Sequence, residues 1–139
     1  MTLTMKTLEK SKKNKDFDAP AEMKKLWNLV TGDQFKTNLS IYPINKNHVC
    51  CDNPKNKNYN KIYINKKMRE TEILWRKDSL YNIIIVIGYN DQPVKKGKGS
   101  AIFLHLTTNK YRPTQGCIGL HLQDMKKLLS YNPKNIKII

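Results

Sequence analysis

The chain has 139 residues, of which 39% are hydrophobic, a length that suits one domain able to bury a sizeable core. Its 26 basic and 11 acidic residues leave a formal net charge of +15, so a partner that uses this charge should be anionic: nucleic acid, an acidic membrane surface or an acidic polymer. The three cysteines make no disulfide framework, and no window reaches the roughly 18 apolar residues that a transmembrane helix needs.

The start of the chain is charged throughout and contains no apolar stretch of a signal peptide, which predicts a cytoplasmic protein if the chain is complete. Lysine and asparagine are spread over nearly every loop. This even spread also fits a compositional bias rather than a dedicated binding face.

Residues 20–30 have the pattern of a short amphipathic helix. Pro20 suits a first helical turn and Gly32 follows as a stop. Four apolar residues fall on one helical face: Met23, Leu26, Trp27 and Val30. We predict that this helix belongs to a divergent N-terminal segment, residues 1–38, and that it covers the edge of a sheet formed by residues 39–139.

Most of the remaining chain has the pattern of β-strands. Residues 81–89 form a continuous β-branched run, which predicts a strand buried on both faces. Residues 122–129 place several apolar side chains on one face and predict a helix. The expected fold is a mainly β domain with one or two short covering helices. Shorter strands are predicted for residues 39–44, 61–65, 100–106, 117–122 and 136–139.

A cysteine and a histidine stand where the chain can bring them together. His105 ends an apolar run, and Cys117 follows a loop that contains Pro113 and Gly116. A loop of this length can return the chain to the end of the strand that carries His105. A thiol becomes a good nucleophile when a neighbour lowers its pKa or removes its proton, and imidazole is the usual agent. We therefore predict Cys117 as a nucleophile and His105 as its general base.

The residues around this pair indicate how a substrate would be held. The backbone N–H groups of Gly116 and Cys117 are the predicted oxyanion donors for a tetrahedral acyl intermediate. Thr114 and Gln115 offer polar groups beside the pair, and Arg112 can neutralise a substrate carboxylate. No metal site is predicted, because the histidines and cysteines lack the spacing of two separated chelating pairs.

These motifs resemble the L,D-transpeptidase catalytic domain (YkuD-type) family. That family is marked by a histidine followed by a Ser/Thr-x-Gly-Cys turn. Here the corresponding runs are Gly99-Ser-Ala-Ile-Phe-Leu-His105 and Pro113-Thr-Gln-Gly-Cys117-Ile-Gly-Leu120. The resemblance covers about residues 40–139. Further stretches look like one branch of the family: Cys51-Asp52-Asn53-Pro54, Tyr59-Asn60, Leu74-Trp75-Arg76, Leu80-Tyr81 and Gly88-Tyr89-Asn90.

The resemblance implies a β-sandwich-like fold and acyl transfer on peptidoglycan stem peptides, with no metal or organic cofactor. Cys117 would attack a stem-peptide carbonyl and release the terminal D-amino acid, and His105 would act as general base and then general acid. An amine of a second peptidoglycan strand, or water, would resolve the thioester. The resemblance also implies a periplasmic or cell-envelope location, while the oligomeric state stays open.

The chain departs from the family in three respects. Gln115 stands where many members have histidine, and Ile118 and Gly119 stand where an arginine often follows the cysteine. The loop from histidine to cysteine is shorter than in many members. Of the opening Gly-Asp-x-x-Thr-Pro motif only Thr31-Gly32-Asp33 is present, which predicts a truncated or divergent N-terminus.

Two other functions compete with transpeptidation. An L,D-carboxypeptidase differs only in that water, not an amine, resolves the thioester. A degenerate, non-catalytic protein could instead use its basic surface on nucleic acid or anionic cell wall, and the aromatic and basic residues at 59–63 would suit a single strand. The chain contains no recognisable nucleic-acid-binding motif, so no specific nucleic acid is predicted as a partner.

Overall fold

The computed structural model describes residues 2–5, 21–28, 37–67, 71–91, 93–100, 102–107 and 117–138. The predicted mainly β fold is confirmed within these ranges. They contain ten strands and one helix: β1 (Thr2–Met5), β2 (Ala21–Asn28), β3 (Ile41–Pro43), β4 (His48–Cys51), β5 (Ile62–Ile64), β6 (Thr71–Ile73), β7 (Ile83–Ile87), β8 (Phe103–Leu106), β9 (Ile118–Leu120), α1 (Leu122–Ser130) and β10 (Asn135–Ile138).

The strands form two sheets. The larger has seven strands in the order β1-β10-β2-β7-β8-β9, with β3 pairing alongside β2, and the smaller has the order β5-β4-β6. Strands β2, β7 and β8 are antiparallel neighbours, whereas β8 and β9 are parallel. The parallel pair places the residues that open β9 beside the residues that open β8.

Both faces of the larger sheet are buried, each in its own apolar cluster. The first cluster joins the sheet to α1 and includes the fully buried Leu104 and Met125. The second cluster lies between the two sheets and contains Ile44, Cys50, Leu74, Tyr81, Ile84 and Phe103. Successive side chains of a strand point to opposite faces, so Ile83, Ile85 and Ile87 of β7 enter the first cluster and Ile84 enters the second. The predicted burial of β7 on both faces is confirmed.

The predicted helix at residues 20–30 is wrong, because residues 21–28 form strand β2. This strand pairs with β7 over most of its length, and the register shifts between Met23 and Lys25. A register shift of this kind inserts an extra residue and changes the face on which the next side chains lie. Met23 and Leu26, three positions apart, therefore both enter the first cluster, while Trp27 packs against the second. The irregular strand thus reproduces the apolar spacing of a helix.

The second predicted helix is confirmed as α1. It buries Met125, Leu128 and Leu129 on the face that completes the first cluster. The chain then turns at Asn132, which has a positive φ of 48°, and enters β10. Across the part of the chain that the structure describes, no helix is long and apolar enough to cross a membrane.

Candidate active site

Strand β8 places His105 on the face that looks toward the smaller sheet. His105 lies opposite Ile84 of β7 and Gly119 of β9. Alternation sends its neighbours Leu104 and Leu106 into the first cluster, so the imidazole joins the side of the second cluster, where its ring contacts that of Tyr81. The residue is only 6% exposed. His105 is thus a buried polar group, and the alternation of β8 sets the face of the sheet to which it points.

Cys117 lies immediately before β9 and on the same face as His105. The pairing of Leu104 with Ile118 places Cys117 next to Phe103, and the Phe103 backbone N–H donates to the Cys117 Sγ at 3.4 Å. Phe103 and His105 are alternate residues of β8, so the thiol and the imidazole share one side of the sheet. Glycine at position 119, opposite His105, adds no side chain on that side.

A short hydrogen bond fixes the tautomer of His105. Its Nδ1 lies 2.7 Å from the carbonyl oxygen of Leu106. Because a carbonyl oxygen only accepts, Nδ1 must carry the hydrogen, and Nε2 of the neutral ring keeps its lone pair. Burial lowers the pKa of His105 below its usual value, and this outweighs the bond to Leu106, which raises the pKa. A neutral imidazole with an available Nε2 is the form that a general base requires.

The thiol of Cys117 is likewise neutral at rest. Burial against the second cluster, aided by the nearby Glu72 carboxylate and opposed by the Phe103 N–H, raises its pKa to about 12. The residue as a whole nevertheless remains partly exposed. The pair is therefore a thiol beside an imidazole, not a thiolate beside an imidazolium.

Four polar residues beside the pair were missed by reasoning from the sequence. The Tyr81 hydroxyl donates to the Glu72 carboxylate, and the Arg76 guanidinium lies over the Tyr81 ring, 4.9 Å from its centroid. Arg76 also forms an ion pair with Asp78. Arg76 and Tyr81 occur in the motifs that resemble the family, but their spacing along the chain gave no sign that they would lie beside His105.

The other predicted site residues lie outside the described residues: Arg112, Thr114, Gln115 and Gly116. Their proposed roles in carboxylate recognition and oxyanion stabilisation stay predictions. Cys50 and Cys51 are buried cysteines of β4 that form no disulfide. Among the residues that the structure describes, no group of three or more His, Cys, Asp or Glu side chains is arranged to hold a metal ion.

Comparison with known families gives one match. The sequence model of the L,D-transpeptidase catalytic domain (YkuD) matches residues 10–138. The matched range includes both His105 and Cys117, together with most of the segment before residue 39. Neither the curated proteins nor the solved structures provide a match.

Proposed function

Because this chain belongs to the L,D-transpeptidase catalytic domain family, we propose that it is a cysteine acyltransferase that acts on peptidoglycan stem peptides. Membership of this family places the chain among L,D-transpeptidase-type enzymes of peptidoglycan. The proposal adds Cys117 as the nucleophile, His105 as the base and a thioester as the intermediate. A peptidoglycan substrate would locate the active protein at the cell envelope.

In the acylation step the proton of the Cys117 thiol moves to Nε2 of His105 as the sulfur attacks the stem-peptide carbonyl carbon. The C–S bond forms and the carbonyl oxygen becomes an oxyanion, which the amides of Gly116 and Cys117 would stabilise. When the tetrahedral intermediate collapses, its C–N bond breaks. The terminal D-amino acid leaves as an amine after taking the proton from His105.

In the second step an amine of another stem peptide attacks the thioester. The amine gives a proton to His105, the C–S bond breaks, and the sulfur recovers that proton as a thiol. The product is a new amide, and no redox change occurs. With water in place of the amine the product is a shortened stem, which is the carboxypeptidase outcome.

The observation that carries the proposal is the arrangement on β8. Two alternate residues of this strand point to the same face. His105 supplies the imidazole, and the backbone N–H of Phe103 contacts the sulfur of Cys117. Since the Leu106 carbonyl takes Nδ1–H, the lone pair of Nε2 is the one available to accept a proton.

The first test is covalent labelling with a carbapenem β-lactam, whose strained carbonyl reports on acyl transfer to sulfur. We expect intact-mass spectrometry to show one adduct on the wild type and on Cys51→Ala, which removes a buried thiol elsewhere in the chain. Cys117→Ala should show none. An adduct that survives in Cys117→Ala would contradict the assignment of the nucleophile.

The second test uses purified muropeptides with tetrapeptide stems. Release of D-alanine together with a cross-linked product supports transpeptidation, whereas release without cross-linking supports the carboxypeptidase. A wild-type protein that neither forms the adduct nor releases D-alanine would overturn the proposed activity.

A further inference from the structure

Tyr81 touches both residues of β8 that serve the candidate pair. Its ring centroid lies 5.3 Å from that of His105, at an interplanar angle of 65°, and 6.2 Å from that of Phe103, at 85°. Both contacts are edge-to-face, the arrangement that aromatic rings prefer. Phe103 is also the residue whose backbone N–H contacts the sulfur of Cys117. One buried ring thus packs against the supports of both the base and the nucleophile.

Tyr81 is itself held from two further directions. Its hydroxyl donates to the carboxylate of Glu72, in β6 of the smaller sheet, and its ring face receives the Arg76 guanidinium. The guanidinium is held in turn, because its Nε lies 3.0 and 3.1 Å from the two carboxylate oxygens of Asp78. A buried tyrosine hydroxyl needs a hydrogen-bond partner in any setting, and here that partner and the guanidinium together hold the Tyr81 ring at its edge and on its face.

His105 needs such a support, because one hydrogen bond does not fix a ring. The bond from Nδ1 to the Leu106 carbonyl holds one edge of the imidazole, and rotation of the ring about its side-chain torsion would break that bond and change the direction in which Nε2 points. The terminal torsion of histidine has a broad profile, so neighbouring atoms must define it. The Tyr81 ring is in contact with the imidazole and can supply this definition.

We propose that Tyr81 is a positioning residue of the candidate pair: its ring fixes the plane of the His105 imidazole, and Glu72 and Arg76 fix the ring of Tyr81. This inference rests on the proposed function of Cys117 and His105. It extends the site from two residues to a connected set in which β6 and the turn after it control the geometry of a base on β8.

The test compares variants that remove one part of this support at a time. Tyr81→Phe keeps the ring and loses the bond to Glu72, and Tyr81→Leu loses the ring. Glu72→Gln keeps an acceptor for the hydroxyl, whereas Glu72→Leu does not. The matched control is Tyr59→Phe, since Tyr59 is an equally buried tyrosine whose hydroxyl accepts from the Gly99 N–H away from the pair.

The first readout is the saturating rate constant of acylation by the carbapenem. We expect Tyr81→Phe and Glu72→Leu to lower it about 3- to 10-fold, the worth of one net hydrogen bond. Tyr81→Leu should lower it about 100-fold, as expected for a misplaced catalytic group. Glu72→Gln should stay within about threefold of the wild type. The carbapenem concentration at half-saturation should change little, because Tyr81 acts on the base and not on the ligand.

The second readout is the ¹⁵N spectrum of the His105 ring, which needs no activity. The wild type and Tyr59→Phe should show a protonated Nδ1 and an unprotonated Nε2, and Tyr81→Leu should show a mixture of tautomers. If Tyr81→Leu fails to fold, Tyr81→Phe still tests the role of Tyr81, because it keeps the aromatic ring in the core.

Two results separate this inference from the proposed function. A wild type that forms no adduct ends the proposed activity, and the ring spectrum then decides the role of Tyr81 alone. If the wild type is acylated, the positioning role would be overturned by two results together: Tyr81→Phe is acylated at the wild-type rate, and Tyr81→Leu shows the wild-type ring spectrum.

Discussion

The chemistry of single residues here is governed by burial. The desolvation that raises the pKa of Cys117 to about 12 also lowers the pKa of His105, so both groups are uncharged near neutral pH. In such a pair the imidazole does not hold a thiolate ready in advance, and proton transfer must accompany attack on the carbonyl. Under the proposed function, the reactivity of the thiol would therefore depend on the position of Nε2.

This neutral pair predicts a particular pH dependence of acylation. The acid limb of the rate should follow the protonation of His105 and have an apparent pKa below the ordinary 6.5, because burial disfavours imidazolium. The rate should be flat from about pH 7 to about pH 9, where neither group titrates. Stopped-flow measurement of carbapenem acylation across pH tests this.

The control for that profile is His105→Gln, which removes the base. In this variant the acylation rate should instead rise steadily with pH, because without a general base only the thiolate form of Cys117 reacts. A wild type whose rate rises in the same way, or whose acid limb lies above 6.5, would contradict a neutral thiol–imidazole pair.

Part of this site was predictable from the sequence. The Gly-Cys turn and the histidine before it predicted the residues that β8 and β9 bring to one face. Glu72, Arg76 and Tyr81 were not predictable, because their positions depend on how the smaller sheet packs on the larger one. Such contacts between sheets leave no periodic pattern in the chain.

At the scale of elements, asparagine side chains form hydrogen bonds that join loops between the strands. Asn60 has a positive φ of 61°, and its Nδ2 donates to the carbonyl oxygens of Tyr89 at 3.1 Å and Asn90 at 2.7 Å. Asn90 in turn donates to the carbonyl oxygens of Lys95 and Gly99. These bonds join the loop before β5 to the loop after β7. They give the Tyr59-Asn60 and Gly88-Tyr89-Asn90 motifs a structural role.

Substituting Asp for Asn60 tests the contribution of these hydrogen bonds to stability. Aspartate tolerates a positive φ but cannot donate, and its carboxylate would face two carbonyl oxygens. We expect Asn60→Asp to lower the free energy of unfolding by about 1–3 kcal/mol, measured by urea denaturation. Asn132→Asp is the matched control, because Asn132 also has a positive φ but its Oδ1 accepts from the Asn38 N–H at 2.7 Å. A similar loss in both variants would show that backbone conformation, not donation, is responsible.

The elements themselves were largely predictable, with one instructive failure. The β-branched run of β7 and the apolar face of α1 have the periods of a buried strand and a helix, and both are confirmed. Strand β2 was mistaken for a helix because its register shift places Met23 and Leu26 on one face at helical spacing. A bulge is a property of the pairing between two strands, and neither strand shows it alone.

For the whole molecule, two buried neutral histidines link folding to pH. His48 accepts the Asn45 N–H at its Nδ1, at 2.8 Å, and its ring centroid lies 5.0 Å from that of Trp27. Burial lowers its pKa below the ordinary 6.5, as it does for His105. A group with a depressed pKa in the folded state takes up its proton more readily when the chain unfolds.

The sign of the effect follows from that uptake. The contribution of the two neutral histidines to the free energy of unfolding should be fully present above about pH 6.5. It should be lost as the pH falls through their lower pKa values in the folded protein. Urea denaturation at several pH values between about 7.5 and 5 measures this loss. His48→Gln should reduce the slope, and a slope identical to that of the wild type would exclude His48 as a contributor.

The place of β9 in the larger sheet has a consequence for how the molecule fails on warming. In the described order β9 ends the row, with β8 as its one neighbour, whereas β8 is flanked by β7 and β9. Rim strands open at a lower cost than central ones. The Cys117 sulfur therefore lies at the start of a strand that opens more easily than the strand that carries His105, so warming can separate the two groups while the interior between the two sheets stays intact.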